Sequence, residues 1–138
     1  MAKENYEFFV VSGKVSKGYD SNGLADPYVK MGYISKKTGK TEYFLKTKVI
    51  KSTLLPEFQH KQVQELDSDD IEKVVIEMYD HDLIGKNDFI GKVTLEGNSL
   101  TCLSTEGTLI RYHLFNENDS ESVGKSTANV YLGMNKKA

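Results

Sequence analysis

The chain has 138 residues, of which 38% are hydrophobic, which is the size of one ordinary domain with a single apolar core. Its formal net charge of -2 argues against a strongly basic nucleic-acid-binding protein. One cysteine, Cys102, excludes an internal disulfide bond, and no apolar run approaches the length of about 18 residues that spans a bilayer.

Eight short segments rich in Val, Ile, Tyr, Phe and Thr are predicted to be strands, because clusters of Gly, Asn, Asp and Ser separate them. They lie near residues 6–14, 27–34, 42–50, 57–65, 72–79, 89–96, 107–115 and 127–134. Residues 97–106 are compatible with a short helical turn. The pattern predicts an all-β fold, an eight-stranded antiparallel β-sandwich with Greek-key connections, as one domain over residues 1–138.

The fifth predicted strand shows the period-two alternation most clearly. Val74, Ile76 and Met78 are expected on one face, and Val75, Glu77 and Tyr79 on the other. The first face is predicted to be core and the second to be more exposed.

Two loops of the predicted sandwich are rich in aspartate. "YDSNGLADPYVKM" carries Asp20 and Asp26, whereas "DHDLIGKND" begins at Asp80 and carries Asp82 and Asp88. Each aspartate alone is explained as a turn residue. Because loops cluster at the ends of a sandwich, these carboxylates can also converge, where they would repel one another unless a cation is shared between them.

A calcium loop contained in a single segment is excluded by the spacing. The helix-loop-helix calcium template needs a side-chain oxygen at its fifth position and a glutamate at its twelfth. Started at Asp80, that template meets Ile84 and Gly91 at those positions. A calcium site would therefore be shared between the two loops.

Three ordered motifs resemble those of one family. "DSNGLADPYVKM", "TKVIKSTLLPEF" and "YDHDLIGKNDFIGKV" are similar to the segments that contain the first, second and third loops, respectively, of the C2 domain, the calcium-dependent phospholipid-binding β-sandwich of protein kinase C, synaptotagmin and phospholipases. The resemblance covers nearly the whole chain. One predicted strand precedes the first loop and one follows residue 123, so the strand order resembles the permuted second topology of that family.

The resemblance implies a calcium site and a function. The family's acidic ligands fall on Asp20, Asp26, Asp80, Asp82 and Asp88, and its backbone carbonyl ligands fall on Tyr19 and His81. It implies two or three Ca²⁺ ions and calcium-dependent binding to anionic phospholipid membranes, with phosphatidylserine as the lipid. We expect a cytoplasmic monomer that has no nucleic-acid partner and is recruited peripherally to the membrane when calcium rises.

Two positions depart from the family pattern. Leu55 stands where asparagine usually precedes Pro56, and Phe58 stands where tryptophan is usual. These changes affect the second loop and remove no carboxylate.

Leu83 and Ile84 lie between the aspartates of the third loop. One interpretation is that they are core residues at a strand end. The resemblance instead places them at the loop tip, away from the sandwich, where they would enter the membrane interface. Full burial of each would then contribute roughly 1.5–3 kcal/mol.

Lysines cluster in the middle of the chain, at positions 36, 37, 40, 46, 48 and 51. Lys46 and Lys48 are predicted to share a strand face opposite Leu45 and Val49. This face is either simply solvated or a second lipid site, for phosphoinositide headgroups.

The family's phosphoinositide site supports the second interpretation only in part. Its residues are matched here by Tyr28, Lys46 and Asn87. Phe44 stands where that site has a lysine, and Tyr79 stands where it has a tryptophan.

Catalysis is not expected. Gly124-Lys125-Ser126 resembles the end of a phosphate-binding loop, but the required earlier glycine would fall on Asp119. No nucleophile-elbow pattern is present, and no Cys-His arrangement surrounds Cys102. A calcium-independent protein-interaction module remains the alternative function, and the complete aspartate set favours calcium-dependent membrane binding over it.

Overall fold

All eight predicted strands are found in a computed structural model, which describes residues 3–18, 23–82, 87–96, 109–120 and 124–137. The strands are β1 (Lys3–Val15), β2 (Pro27–Ser35), β3 (Thr41–Lys46), β4 (Glu57–Asp67), β5 (Ile71–Asp80), β6 (Asp88–Glu96), β7 (Leu109–Leu114) and β8 (Ala128–Lys136). The helical turn considered for residues 97–106 lies outside the described residues. Within these ranges, no helix is long and apolar enough to cross a membrane.

Two antiparallel four-stranded sheets form the sandwich. Sheet A has the order β4-β1-β8-β7, and sheet B has the order β3-β2-β5-β6. Alternate residues of both sheets fill the space between them, including Phe8, Val10, Ile76 and Leu132, each with no exposed surface. The prediction of an all-β sandwich is confirmed.

An unpredicted 3₁₀ turn, Ser68–Asp70, joins β4 to β5. The Asp67 carboxylate caps it by accepting the Asp69 N–H at 3.1 Å. Asp70 accepts hydrogen bonds from the Lys37 N–H at 3.0 Å and the Ser35 hydroxyl at 2.9 Å. These contacts, the Lys37 N–H first, lower the pKa of the Asp70 carboxyl. The turn thus holds the β2–β3 hairpin against one end of the sandwich, which we call the lower end.

Strand β3 ends at Lys46, four residues before the predicted boundary at position 50. The Thr47 N–H donates to the Val29 carbonyl at 2.9 Å, and the Thr47 hydroxyl oxygen accepts the Val29 N–H at 2.9 Å. The Thr47 hydroxyl thus replaces the backbone carbonyl that would accept the next hydrogen bond between β2 and β3. The chain therefore leaves sheet B after Lys46. The prediction that Lys48 lies on a strand with Lys46 is therefore wrong, although both lysines are exposed.

Strand direction brings four connecting segments to the opposite end of the sandwich, which we call the upper end. Their described parts are residues 16–18, 23–26, 47–56, 81–82, 87, 115–120 and 124–127. Asp26 of the first aspartate-rich stretch and Asp80, Asp82 and Asp88 of the second therefore lie at the upper end.

Candidate metal centre and lipid-binding face

Strand pairing places three aspartates from separate parts of the chain side by side. Asp80 is the last residue of β5, and its side chain is almost completely buried, with 1% of the residue exposed. Its cross-strand neighbours are Pro27 on β2 and Asp88 on β6. Asp26 immediately precedes Pro27. Two aspartates of the third loop and one of the first therefore lie on or next to neighbouring strands at the upper end of sheet B.

Asp26 connects the three upper-end segments of sheet B. Its N–H donates to Asp80 Oδ1 at 2.7 Å, and its carbonyl accepts the His81 N–H at 2.9 Å. Its carboxylate oxygen Oδ1 accepts the Ser52 N–H at 2.7 Å. Ser52 has a φ of 56°, in the left-handed region that few residues other than glycine and asparagine adopt readily. The second loop is thus shaped to reach Asp26, a role of Ser52 that the sequence did not indicate.

The third loop is closed at its base by side-chain hydrogen bonds. The Asp82 N–H donates to Asn87 Oδ1 at 2.8 Å, and Asn87 Nδ2 donates to the Tyr28 hydroxyl at 2.8 Å. Leu83 and Ile84, between these two anchors, lie outside the described residues. These two hydrogen bonds fix the base of the third loop to β2.

The chemistry of these side chains fits calcium. Neither Asp26 nor Asp88 forms an ion pair within the described part of the chain. Asp80 and Asp88 face one another across two strands, where like charges are destabilising unless a cation intervenes. Carboxylate oxygens are the donors that Ca²⁺ prefers.

The metal site is incomplete in the described ranges. No three Asp, Glu, His or Cys side chains in those ranges are grouped closely enough to hold a metal ion. Asp20 and Tyr19, which the family resemblance includes among the ligands, lie outside them. The full ligand set, with Asp82 and His81, therefore stays a prediction.

Two of the predicted lipid residues, Tyr28 and Lys46, lie on the outer face of sheet B. The Tyr28 and Tyr79 rings stack with centroids 5.6 Å apart, and Lys46 Nζ lies 5.0 Å from the Tyr28 centroid. The His81 ring meets Tyr28 edge-on at 6.4 Å. Lys46, Tyr28 and Asn87 are thus joined in one cluster, which begins directly below the aspartates.

The outer face of sheet B also contains a buried carboxylate, that of Glu77. The hydroxyls of Tyr43 and Tyr79 both donate to Glu77 at 2.9 Å, and Lys30 Nζ covers the Tyr43 ring at 3.9 Å. Only 8% of Glu77 is exposed, so this part of the outer face is less open than the alternation predicted. Burial and the Glu77 hydrogen bond raise the pKa of Tyr43 to about 12 and raise that of Tyr79 further. Both hydroxyls therefore remain hydrogen-bond donors throughout the physiological pH range.

Phe44 explains why the lysine-rich face is less basic than the family site. A bulge between Met31 and Gly32 lets Phe44 turn towards the core, where its ring lies 5.0 Å from the Phe8 ring. The position that carries a lysine in the family site thus contributes to packing here. Lys46 and its neighbour Lys30 remain on the outer face.

Comparison with known proteins assigns the family. The model of the C2 domain family matches residues 4–114. The chain belongs to the C2 domain family. A C2 domain-containing protein of Dictyostelium discoideum is 34% identical over 92 residues, which cover 67% of this chain and 46% of that protein. Human synaptotagmin-1 is 39% identical over 92 residues, which cover 65% of this chain and 21% of that protein.

Solved structures show the same C2 fold. The C2A domain of plant extended synaptotagmin 1 has a TM-score of 0.72 at 20% identity, with 97% of this chain and 94% of that chain covered. A calcium-bound structure of the C2A and C2B domains of extended synaptotagmin 2 has a TM-score of 0.69 at 17% identity, with 99% of this chain and 46% of that chain covered. In human GIVD cytosolic phospholipase A2 the match covers 15% of that chain, at a TM-score of 0.67 and 14% identity. The permuted strand order stays a prediction.

This C2 domain spans less than half the length of the curated relatives described above. The C2 fold is a binding module, and the phospholipase match covers only a small part of that enzyme.

Proposed function

We propose that this C2 domain binds anionic phospholipid membranes in a calcium-dependent manner. The observation that carries the proposal is the placement of Asp26, Asp80 and Asp88 at the upper ends of neighbouring strands, with Asp80 nearly buried. Similarity to synaptotagmin-1 and to a calcium-bound extended synaptotagmin supports it. The domain acts as a cytoplasmic monomer that is recruited to the membrane surface when calcium rises.

The aspartates act as an electrostatic switch. Five carboxylates repel an anionic bilayer, whereas two or three Ca²⁺ ions held by Asp20, Asp26, Asp80, Asp82 and Asp88 neutralise them and offer coordination to lipid headgroup oxygens. The backbone carbonyls of Tyr19 and His81 complete the ligand set. Because binding linkage is reciprocal, the anionic lipid raises the affinity of the domain for calcium.

A calcium titration with phosphatidylserine liposomes tests the proposal. We expect the chain to sediment with the vesicles as calcium rises and to remain in the supernatant with chelator. The calcium midpoint should fall when the phosphatidylserine fraction is raised. Equal sedimentation with calcium and with chelator would contradict the proposal and favour a calcium-independent interaction module.

The third-loop tip is expected to add hydrophobic affinity. Replacing both Leu83 and Ile84 with alanine should weaken calcium-dependent liposome binding about tenfold or more, since each truncation loses on the order of 1 kcal/mol of apolar burial. Val63→Ala is the matched control, because Val63 is 51% exposed on the opposite sheet. Unchanged liposome affinity in the double variant would rule out insertion of the tip.

A second lipid site on the outer face of sheet B, for phosphoinositide headgroups, is also proposed. It rests on Lys46 over the Tyr28 ring and on the Asn87 contact to Tyr28. Lys48, just beyond the strand, adds positive charge beside it, and each lysine near an anionic surface contributes about 1 kcal/mol.

Lys46→Ala should weaken binding to phosphoinositide-containing vesicles about fivefold, and binding to phosphatidylserine vesicles less. Lys40→Ala, in the hairpin at the lower end, is the control. An equal loss on both kinds of vesicle would show that Lys46 belongs to a merely solvated face.

A further inference from the structure

The outer face of sheet A contains two adjoining cavities that neither the metal centre nor the lipid-binding face uses. The larger, of about 320 Å³, is lined in part by Lys14, Arg111, Asn129 and Tyr131. The smaller, of about 160 Å³, lies beside it and shares Lys14 and Asn129. We call the two together the sheet A cleft.

Strand register explains why these side chains lie together. Lys14 on β1 pairs with Asn129 on β8, and Arg111 on β7 pairs with Tyr131 on β8. Residues 129 and 131 flank Val130, which is fully buried on the core side, so they point to the outer face. Lys14 and Arg111 are two strands apart, roughly 10 Å at the spacing of neighbouring strands. Both side chains are long enough to reach one ligand between them.

The two cations of the sheet A cleft form no ion pair with any described residue. In the part of the chain that the structure describes, neither Lys14 nor Arg111 lies within ion-pair distance of a carboxylate. Two other lysines of sheet A and its lower end behave differently, since Lys61 and Lys137 both lie within 4 Å of Glu7. The positive charge of Lys14 and Arg111 is thus available to a ligand at the upper half of sheet A.

Polar residues line the same cavities. Asn129, Tyr131 and Ser12 line the larger cavity, and Ser16 and Ser126 line the smaller one. Each of these side chains carries an N–H or O–H donor. Glu57 is the one carboxylate among the lining residues of the larger cavity. The lining residues of the sheet A cleft thus include two cations, several hydrogen-bond donors and one carboxylate. This composition favours the binding of an anion.

We propose that the sheet A cleft is a calcium-independent binding site for a phosphate monoester. Such a group carries close to two negative charges and three acceptor oxygens, which match an Arg fork, a Lys ammonium and neighbouring N–H and O–H donors. The monoester can be carried by a soluble molecule or by the headgroup of phosphatidic acid.

The test is a titration of O-phospho-L-serine into the ¹⁵N-labelled chain in the presence of chelator, followed by NMR. Saturable shifts of the Lys14, Arg111 and Asn129 amides are expected, with none on adding serine. Arg111→Gln and Lys14→Gln should each weaken binding about tenfold, whereas Lys40→Gln should not change it. Glu57→Gln should tighten binding, because it removes the opposing charge.

Vesicles distinguish the two sources of the phosphate. Chelator-resistant binding to phosphatidic acid vesicles that Arg111→Gln abolishes, without an effect of phosphoserine, would assign the sheet A cleft to a lipid headgroup. Shifts with phosphoserine would assign it to a soluble phosphate monoester.

Absence of binding to both probes would overturn the proposal, as would undiminished binding in Arg111→Gln and Lys14→Gln. Both residues are exposed, so the variants are expected to keep the wild-type melting temperature and calcium-dependent liposome binding. That second readout separates failure of the sheet A cleft from failure of the calcium switch.

Discussion

Replacing Asp80 and Asp82 together with asparagine is expected to abolish calcium-dependent sedimentation with phosphatidylserine liposomes. The change removes two of five carboxylates from the proposed metal centre while it preserves side-chain volume. Asparagine at position 80 also keeps a carbonyl oxygen that can accept the Asp26 N–H, so the loops retain their main contact. The loss should therefore come from charge and coordination rather than from unfolding.

A matched control is available at the other end of the sandwich. Asp67→Asn with Asp69→Asn makes the same change in net charge in and beside the 3₁₀ turn. The side-chain oxygen of an asparagine at position 67 can still cap that turn. This control should bind liposomes with the wild-type calcium midpoint.

Liposome binding in the presence of chelator further separates a loss of charge and coordination from unfolding. With two fewer negative charges, Asp80→Asn/Asp82→Asn should be repelled less by anionic vesicles than the wild type when calcium is absent. Sedimentation of the variant with a wild-type calcium midpoint would contradict the assignment of these two aspartates as ligands.

Phe58→Ala is expected to destabilise the fold by about 3–5 kcal/mol, a large share of the stability of an ordinary domain. Phe58 is 1% exposed and belongs to the central hydrophobic cluster. The alanine would leave a cavity beneath the second loop, because the surrounding strands cannot collapse to fill it. Thermal unfolding should show a midpoint lowered by roughly 10–17 °C.

Leu55→Ala is the control for that measurement. Leu55 is three residues away and 66% exposed, so its truncation should change the free energy of unfolding by less than about 0.5 kcal/mol. A small effect of Phe58→Ala would mean that the core repacks around this position.

The sequence predicted the strands well because burial on one face leaves a period-two pattern. The alternation of Val74, Ile76 and Met78 is confirmed, since all three have no exposed surface. The C2 fold and family membership are likewise confirmed. These features depend on neighbouring residues or on ordered motifs, both of which a single sequence contains.

Features that depend on distant partners were not predictable in the same way. Glu77 is buried because the Tyr43 hydroxyl, from a strand 34 residues earlier, reaches it. Strand β3 stops early because the Thr47 hydroxyl bonds to Val29, 18 residues away. Phe44 turns inward at a bulge, which strand alternation alone does not indicate.

The candidate site was predictable as a set of residue types but not as an arrangement. Resemblance named Asp26 and Asp80 as ligands, yet the hydrogen bond between them joins residues 54 positions apart. Ser52 carries no motif, and its contact with Asp26 follows from the path of the second loop.

The three hydrogen bonds of Asp26 also bear on how the upper end moves. The amide hydrogens of Asp26, Ser52 and His81 are all held by groups of Asp26 or Asp80, so no one of the three segments can open widely without breaking a contact to another. Exchange of these three amide hydrogens with solvent deuterium should therefore depend on one common opening event. A ligand that binds to any one of the loops should slow the exchange of all three amides together.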